Sequence, residues 1–174
     1  MAKAEKLDAI ALLKADHRAV EELFEKYENA RSSTQKQTLA KKIATELVIH
    51  TMIEEEIFYP ALRGKIEEDI LDEAYVEHDG AKVMVAELLA GGPGDDFYDA
   101  KVKVLSEEIK HHVHEEEMRD GMFAQARKTD VDMGELGDEM AARKEKLMAE
   151  FKDGPPTPVT TTLRTRAEQG EVQV

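Results

Sequence analysis

The sequence predicts an all-α protein: an up-down antiparallel four-helix bundle with an additional C-terminal helix and a Pro/Thr-rich tail. Ala, Glu, Lys, Leu and Met dominate the 174 residues while aromatic residues make up only 5%, a balance that suits helices rather than sheets. Four long segments repeat apolar residues at steps of three and four, the period of a helix face. Short breaks rich in turn formers separate them, and short connections make consecutive helices antiparallel neighbours.

The first segment runs from Asp8, placed to cap a helix N-terminus, to Arg31. Ser32 opens the second, with Gln35 at capping-box spacing, and this segment ends between Pro60 and Arg63, before Gly64. The third spans Ile66 to Ala90 and stops at Gly91-Gly92-Pro93-Gly94. Asp95 or Asp96 can cap the fourth, which is expected to reach past Glu117 and continue less regularly toward Phe123. A fifth stretch, Gly134 to Phe151, carries Leu136, Met140, Leu147 and Phe151 at helical spacing and is expected to pack outside the bundle. From Lys152 onward Pro155, Pro156, Pro158 and a Thr run leave too little apolar content to fold alone, so the stretch is either flexible or draped over the surface. The expected division is therefore a bundle over residues 1–130, a packing helix over 131–151 and a flexible tail over 152–174.

Charge and composition exclude several function classes. Basic residues number 24 against 38 acidic ones, and a net charge of −14 repels phosphate backbones and anionic lipid, so neither nucleic acid nor membrane is expected as a partner. No stretch approaches the ~20 apolar residues of a membrane span, and the start lacks the apolar core of a signal peptide, which makes the cytoplasm the expected location. With no cysteine, thiolate zinc sites, iron–sulfur clusters and thiol catalysis are excluded. Any metal must rest on His, Asp, Glu or Tyr.

The inward stripe of each helix carries the functional signal. Ile10, Leu13, His17, Val20, Phe24 and Tyr27 line the first; Ile43, Leu47, His50, Glu54, Ile57 and Ala61 line the second. Leu71, Ala74, His78, Ala81, Val85 and Leu88 line the third, and Val102, Leu105, Ile109, His112 and Glu116 the fourth. Each stripe is apolar except for one histidine, and two add a glutamate four residues later. At about 1.5 Å of rise per residue the four histidines fall within roughly 6 Å of one level. Burying such groups costs several kcal/mol each unless they are compensated, either by one another or by metal. Imidazoles and carboxylates gathered in one dry layer are what a pair of divalent first-row metals needs, and residues four apart on a helix can both reach one metal pair.

The fourth helix offers two overlapping motifs, His111 with Glu115 and His112 with Glu116. Ile109, Leu105 and Val102 precede His112 on its face, whereas Glu108, Val104 and Lys101 precede His111, so His112 is expected to point inward while His111 and His114 face solvent. The other members of Glu54-Glu55-Glu56 and Glu115-Glu116-Glu117 read as solvated.

At these residues the sequence resembles the hemerythrin-like family, also called the HHE cation-binding domain. The segments that carry the resemblance are LLKADH around His17, HTMIEEEIFYPAL from His50, VEHDGAK around His78 and IKHHVHEEE around His112, over about residues 8 to 128. The resemblance implies an oxo- or hydroxo-bridged di-iron centre with His17, His50, His78 and His112 as terminal ligands and Glu54 and Glu116 as bridging carboxylates. Oxygen-carrying hemerythrins have a fifth histidine one turn before the third-helix one, where this chain has Ala74; that argues against reversible oxygen carriage and predicts between one and two irons. Tyr75, three residues before His78, and Glu21, four after His17, are candidates to complete the site.

The expected function is a non-haem di-iron protein that binds or reacts with dioxygen, nitric oxide or peroxide. The competing readings are an iron-responsive regulatory or metal-buffering module without turnover, and a structural bundle whose polar layer is metal-free. No residue stands out as a dedicated proton donor or nucleophile.

Overall fold

In the computed structural model, which describes residues 6–163, every regular element among those residues is helical. Helix α1 spans Ala9–Asn29 and α2 spans Ser33–Ile53; a π-helical turn, Glu54–Phe58, joins α2 to the short α3, Tyr59–Leu62. Then follow α4 (Glu68–Ala90), α5 (Tyr98–Glu117), α6 (Met122–Ala126) and α7 (Met133–Glu150).

Local chemistry sets the ends. The Asp8 carboxylate accepts from the Ala11 amide at 2.8 Å, and Ser32 Oγ accepts from the Gln35 amide at 3.2 Å, so both helices start at their side-chain caps. Helix α5 departs from expectation at its start. Asp95 is consumed within the loop by the Gly92 amide, 2.7 Å away, and Phe97 precedes the first turn in a left-handed conformation at φ 65°. The far end departs too: α5 stops at Glu117 instead of continuing toward Phe123. The chain folds back so tightly that a Cβ on Gly121 would fall 2.1 Å from the Glu115 carbonyl oxygen, which only glycine permits. That reversal carries Met122 and Phe123 of α6 into the core.

Helix α1 packs against α2 and α5, and α4 packs against the same two, so α2 and α5 lie across the core from each other. Helix α7 lies outside this ring, against α1, α2 and the π-helical turn. Two apolar clusters fill the interior. One holds Ile10, Leu13, Ile53, Phe58, Leu71 and Met122; the other holds Val20, Phe24, Ile43, Leu47, Val85 and Leu105. Each such side chain contributes about 1.5–3 kcal/mol by leaving water. His17, His50 and His78 fall at the boundary between the clusters, and that boundary is the polar layer.

The π-helical turn changes one stripe. Pro60 has no amide hydrogen to bond the Glu56 carbonyl and its ring would collide with it, and widening the turn by one residue relieves both problems. The Tyr59 amide therefore reaches back five residues, to the Glu54 carbonyl. Ile57 and Ala61, expected inward, are only partly buried, while Phe58, Tyr59 and Leu62 are fully buried. No helix of the described residues is long and apolar enough to cross a membrane.

Candidate metal centre

All six inward polar residues are buried, none more than 6% exposed. They meet in one cluster. His17 Nε2 lies 3.3 Å from Glu116 Oε2, and His112 Nε2 lies 3.6 Å from Glu116 Oε1, so the two oxygens of one carboxylate face histidines from different helices. Glu54 Oε2 faces His50 Nε2 at 3.2 Å and His78 Nε2 at 3.1 Å. Two overlapping groups result: His17, His50, Glu54 and Glu116 offer ligand atoms within 4.8 Å of one another, and so do Glu54, His78 and His112.

Proximity has not produced a satisfied network. Among the described residues, His17 Nε2, both ring nitrogens of His50, Glu54 Oε1 and Glu116 Oε2 are buried without a hydrogen-bond partner. Several of them sit within ion-pair distance of one another but lack the alignment of a hydrogen bond. Leaving one buried polar group unpaired costs about 1–3 kcal/mol, so a cluster of them is able to gain from holding a cation. Imidazole nitrogens and carboxylate oxygens pointing into a common space form a donor set that suits first-row cations.

A second layer of carboxylates orients the imidazoles from behind. Glu117 lies 2.7 Å from His17 Nδ1, Glu55 3.0 Å from His78 Nδ1 and Glu77 2.7 Å from His112 Nδ1. Asp16, itself paired with Lys144 of α7, stands more loosely behind His50 at 3.6 Å. At His17, His78 and His112 the hydrogen-bonded carboxylate fixes the tautomer that turns Nε2 toward the centre. Sequence periodicity assigned Glu55 and Glu117 to solvent; both are mostly buried and serve instead as these backing groups. Rings also pack against the imidazoles: Phe123 stacks on His17 with centroids 5.8 Å apart, and Tyr59 on His78 at 5.4 Å.

The Tyr59 hydroxyl enters the cluster itself. It donates to Glu116 Oε1 at 3.0 Å and lies 3.2 Å from His78 Nε2 and 3.3 Å from Glu54 Oε2. Burial, then the charges of Glu116 and Glu54, push its phenol well above the ordinary tyrosine range. Of the two residues considered from sequence, Tyr75 packs its ring on Tyr59 and beneath Arg63, and Glu21 pairs with Arg18. Ala74 lines a cavity of about 90 Å³ together with Glu77, His112, Glu116 and Met118. The space left by a small residue at that position thus opens beside two residues of the cluster.

The buried imidazoles and carboxylates also shift one another's titration. Burial pushes His50 down, but the Glu54 charge and the Asp16 carboxylate outweigh it and raise the imidazole to about 10. Burial acts likewise on His78, where Glu54 and Glu55 prevail and raise it to about 9. For Glu54, burial acts upward, and the opposing effect of His50 and His78 holds the carboxyl well below the usual range. His111 stands outside the cluster, 3.3 Å from both Glu77 and Glu115, with its side chain 63% exposed; His114 is also exposed.

Known proteins resemble this chain to differing extents. The chain is 31% identical over 144 residues to the uncharacterized protein Rv2633c of Mycobacterium tuberculosis, covering 81% of this chain and 88% of that protein. It is 26% identical over 106 residues to a DNA nickase of Nostoc sp., but spans only 30% of that protein's length. Its fold matches the crystal structure of a hemerythrin HHE cation binding domain-containing protein, the Rv2633c homolog from Mycobacterium kansasii. The TM-score is 0.71 at 25% identity, over 84% of this chain and 91% of the other. The family model of the hemerythrin HHE cation binding domain matches residues 8–126, which takes in every residue of the cluster, and the chain belongs to that family.

Proposed function

We propose that this protein is a non-haem di-iron protein that binds or reacts with a small redox ligand, namely dioxygen, nitric oxide or peroxide. The observation that carries the reading is Glu116, whose two oxygens face His17 and His112 in separate ligand groups, with Glu54 common to both groups. One group then provides His17 and His50, the other His78 and His112, and Glu54 and Glu116 join them. The Tyr59 hydroxyl stands within reach of Glu54, His78 and Glu116, in a chain where Ala74 brings no polar group.

When bound, a pair of irons supplies one-electron redox chemistry and Lewis acidity that side chains lack. The protein's own part is to hold the pair, orient it and limit what reaches it. Glu117, Glu55 and Glu77 keep three imidazoles turned inward. The apolar clusters on both sides exclude bulk water. The cavity beside Ala74 is large enough for a diatomic molecule, peroxide or a few waters and too small for a drug-sized substrate. Tyr59 holds a proton at its phenolic oxygen, 3.0 Å from Glu116 Oε1.

Metal analysis and absorption spectroscopy of protein made in iron-sufficient cells test the reading. Between one and two irons per chain and a near-ultraviolet charge-transfer band are expected. Iron near zero after careful loading, or a colourless zinc protein, overturns it. Change of the band on adding nitric oxide or peroxide then tests the ligand class.

A further inference from the structure

We infer that residues 161–163 form a latch, fastened by Asp79, that holds Glu55 against His78 and so controls retention of the metal on the His78 side of the centre. The inference rests on the metal reading above.

Asp79 and Lys82 are buried on the outer side of α4, yet neither belongs to the cluster of ligand groups. Three consecutive amides, of Thr161, Thr162 and Leu163, donate to the Asp79 carboxylate, and Thr162 Oγ1 adds a fourth bond at 2.7 Å. Successive backbone amides converging on one anion form a nest, here filled by a side chain of the same protein. Burial pushes the Asp79 carboxyl up, but these donors outweigh it and hold it well below the usual carboxylate range. More than 80 residues of chain separate the two halves of the contact.

From the nest a continuous set of bonds reaches the centre. Thr161 Oγ1 donates to Glu55 Oε2 at 3.0 Å and accepts from Lys82 Nζ at 3.1 Å. Lys82 Nζ also donates to Glu55 at 2.9 Å and to Asp79 at 3.3 Å. Glu55 Oε1 in turn lies 3.0 Å from His78 Nδ1, and His78 Nε2 faces Glu54. Latched, residues 161–163 cover Lys82 and Glu55 and leave Glu55 one orientation. Unlatched, both would face water, and Lys82 could draw Glu55 off the imidazole. His17 and His50 are backed by Glu117 and Asp16 instead, so the effect is confined to one half of the centre.

The test uses the full-length, iron-loaded protein and the variants Asp79→Asn and Thr161→Val. Asp79→Asn removes the charge in the nest; Thr161→Val spares the nest and removes only the hydroxyl between it and Glu55. Three readouts are taken: hydrogen exchange of the 161–163 amides, release of iron to an excess of a ferrous chelator, and the ¹⁵N resonances of His78 in the metal-free chain. Asp79→Asn is expected to speed exchange at 161–163. Both variants should release one equivalent of iron about 10–100-fold faster, the usual effect of losing a partner behind a metal ligand, leave the other equivalent unchanged, and shift the His78 resonances. Wild-type release by both variants overturns the inference, as do amides that stay protected in Asp79→Asn. A wild-type chain that takes up no iron fails at the loading step, before any variant is compared, and so identifies failure of the metal reading itself.

Discussion

The Tyr59 hydroxyl lies 3.0 Å from Glu116 Oε1, at the end of a widened turn in which the Tyr59 amide bonds the carbonyl five residues back, that of Glu54, in place of the usual four. Phenolate coordinated to ferric iron absorbs in the visible, whereas a hydrogen-bonded phenol does not. Tyr59→Phe should therefore abolish any visible band while keeping the near-ultraviolet one, and should lower iron content by no more than one equivalent. An unchanged visible spectrum would assign Tyr59 the hydrogen bond to Glu116 alone.

The two motifs of α5 give a second prediction. His112 and Glu116 are buried at the cluster, while His111 and Glu115 meet at the surface. Alanine at His112 or Glu116 should remove at least one metal and the charge-transfer absorption. The same changes at His111 or Glu115 should leave both near wild type, because exposed pairs of this kind contribute at most about 1 kcal/mol. Bleaching by His111→Ala alone would mean that the inner register is off by one residue.

How much of this was legible depended on which interactions are periodic. His17, His50, Glu54, His78, His112 and Glu116 could be placed from spacing because each interrupts an apolar stripe of a regular helix. Tyr59 could not. The stripe projected past Glu54 lands on Ile57 and Ala61, and only the pairing of Pro60 with an inward glutamate four residues past a histidine hinted that the helix would widen. The backing carboxylates Asp16, Glu55, Glu77 and Glu117 each sit beside an inward residue in sequence, on a face that periodicity gives to water. Their side chains are long enough to turn back, which no helical wheel encodes. The Asp79 contact with residues 161–163 joins distant parts of the chain through backbone amides, which have no sequence signature, and residues 164–174 of the expected tail lie outside the described residues.

Metal removal should weaken the fold. The buried atoms without partners in the metal-free chain are costs that ligation cancels only in the native state. A metal present at 100 times its dissociation constant stabilises by about 2.7 kcal/mol. For a domain of this size that corresponds to a melting temperature higher by roughly 5–11 °C. Calorimetry of loaded and stripped protein at one pH decides it. A stripped protein that melts at the same temperature or higher would favour a metal-free structural layer.

The final prediction follows from protons. In the metal-free chain His50 and His78 are raised to about 10 and about 9, against roughly 6.5 for an unfolded histidine. A raised histidine stabilises the fold fully below the unfolded value, and the contribution fades as pH rises through the folded one. Stripped protein should thus lose stability from about pH 6.5 upward, most steeply between about 7.5 and 8.5, with the loss levelling off as the folded rings deprotonate through about 9 and 10. Ligation opposes this loss. A metal requires neutral imidazole, so binding near pH 7 must expel the protons on these two rings, and affinity should strengthen with pH by up to about tenfold per unit for each proton released. Titrating ferrous ion into stripped, anaerobic protein in buffers of different ionisation enthalpy measures that release. About two protons per fully loaded chain are expected from His50 and His78. Uptake with no proton release, and an affinity flat between pH 6 and 8, would show that both rings are already neutral and that the carboxylates around them do not hold the charge assigned here.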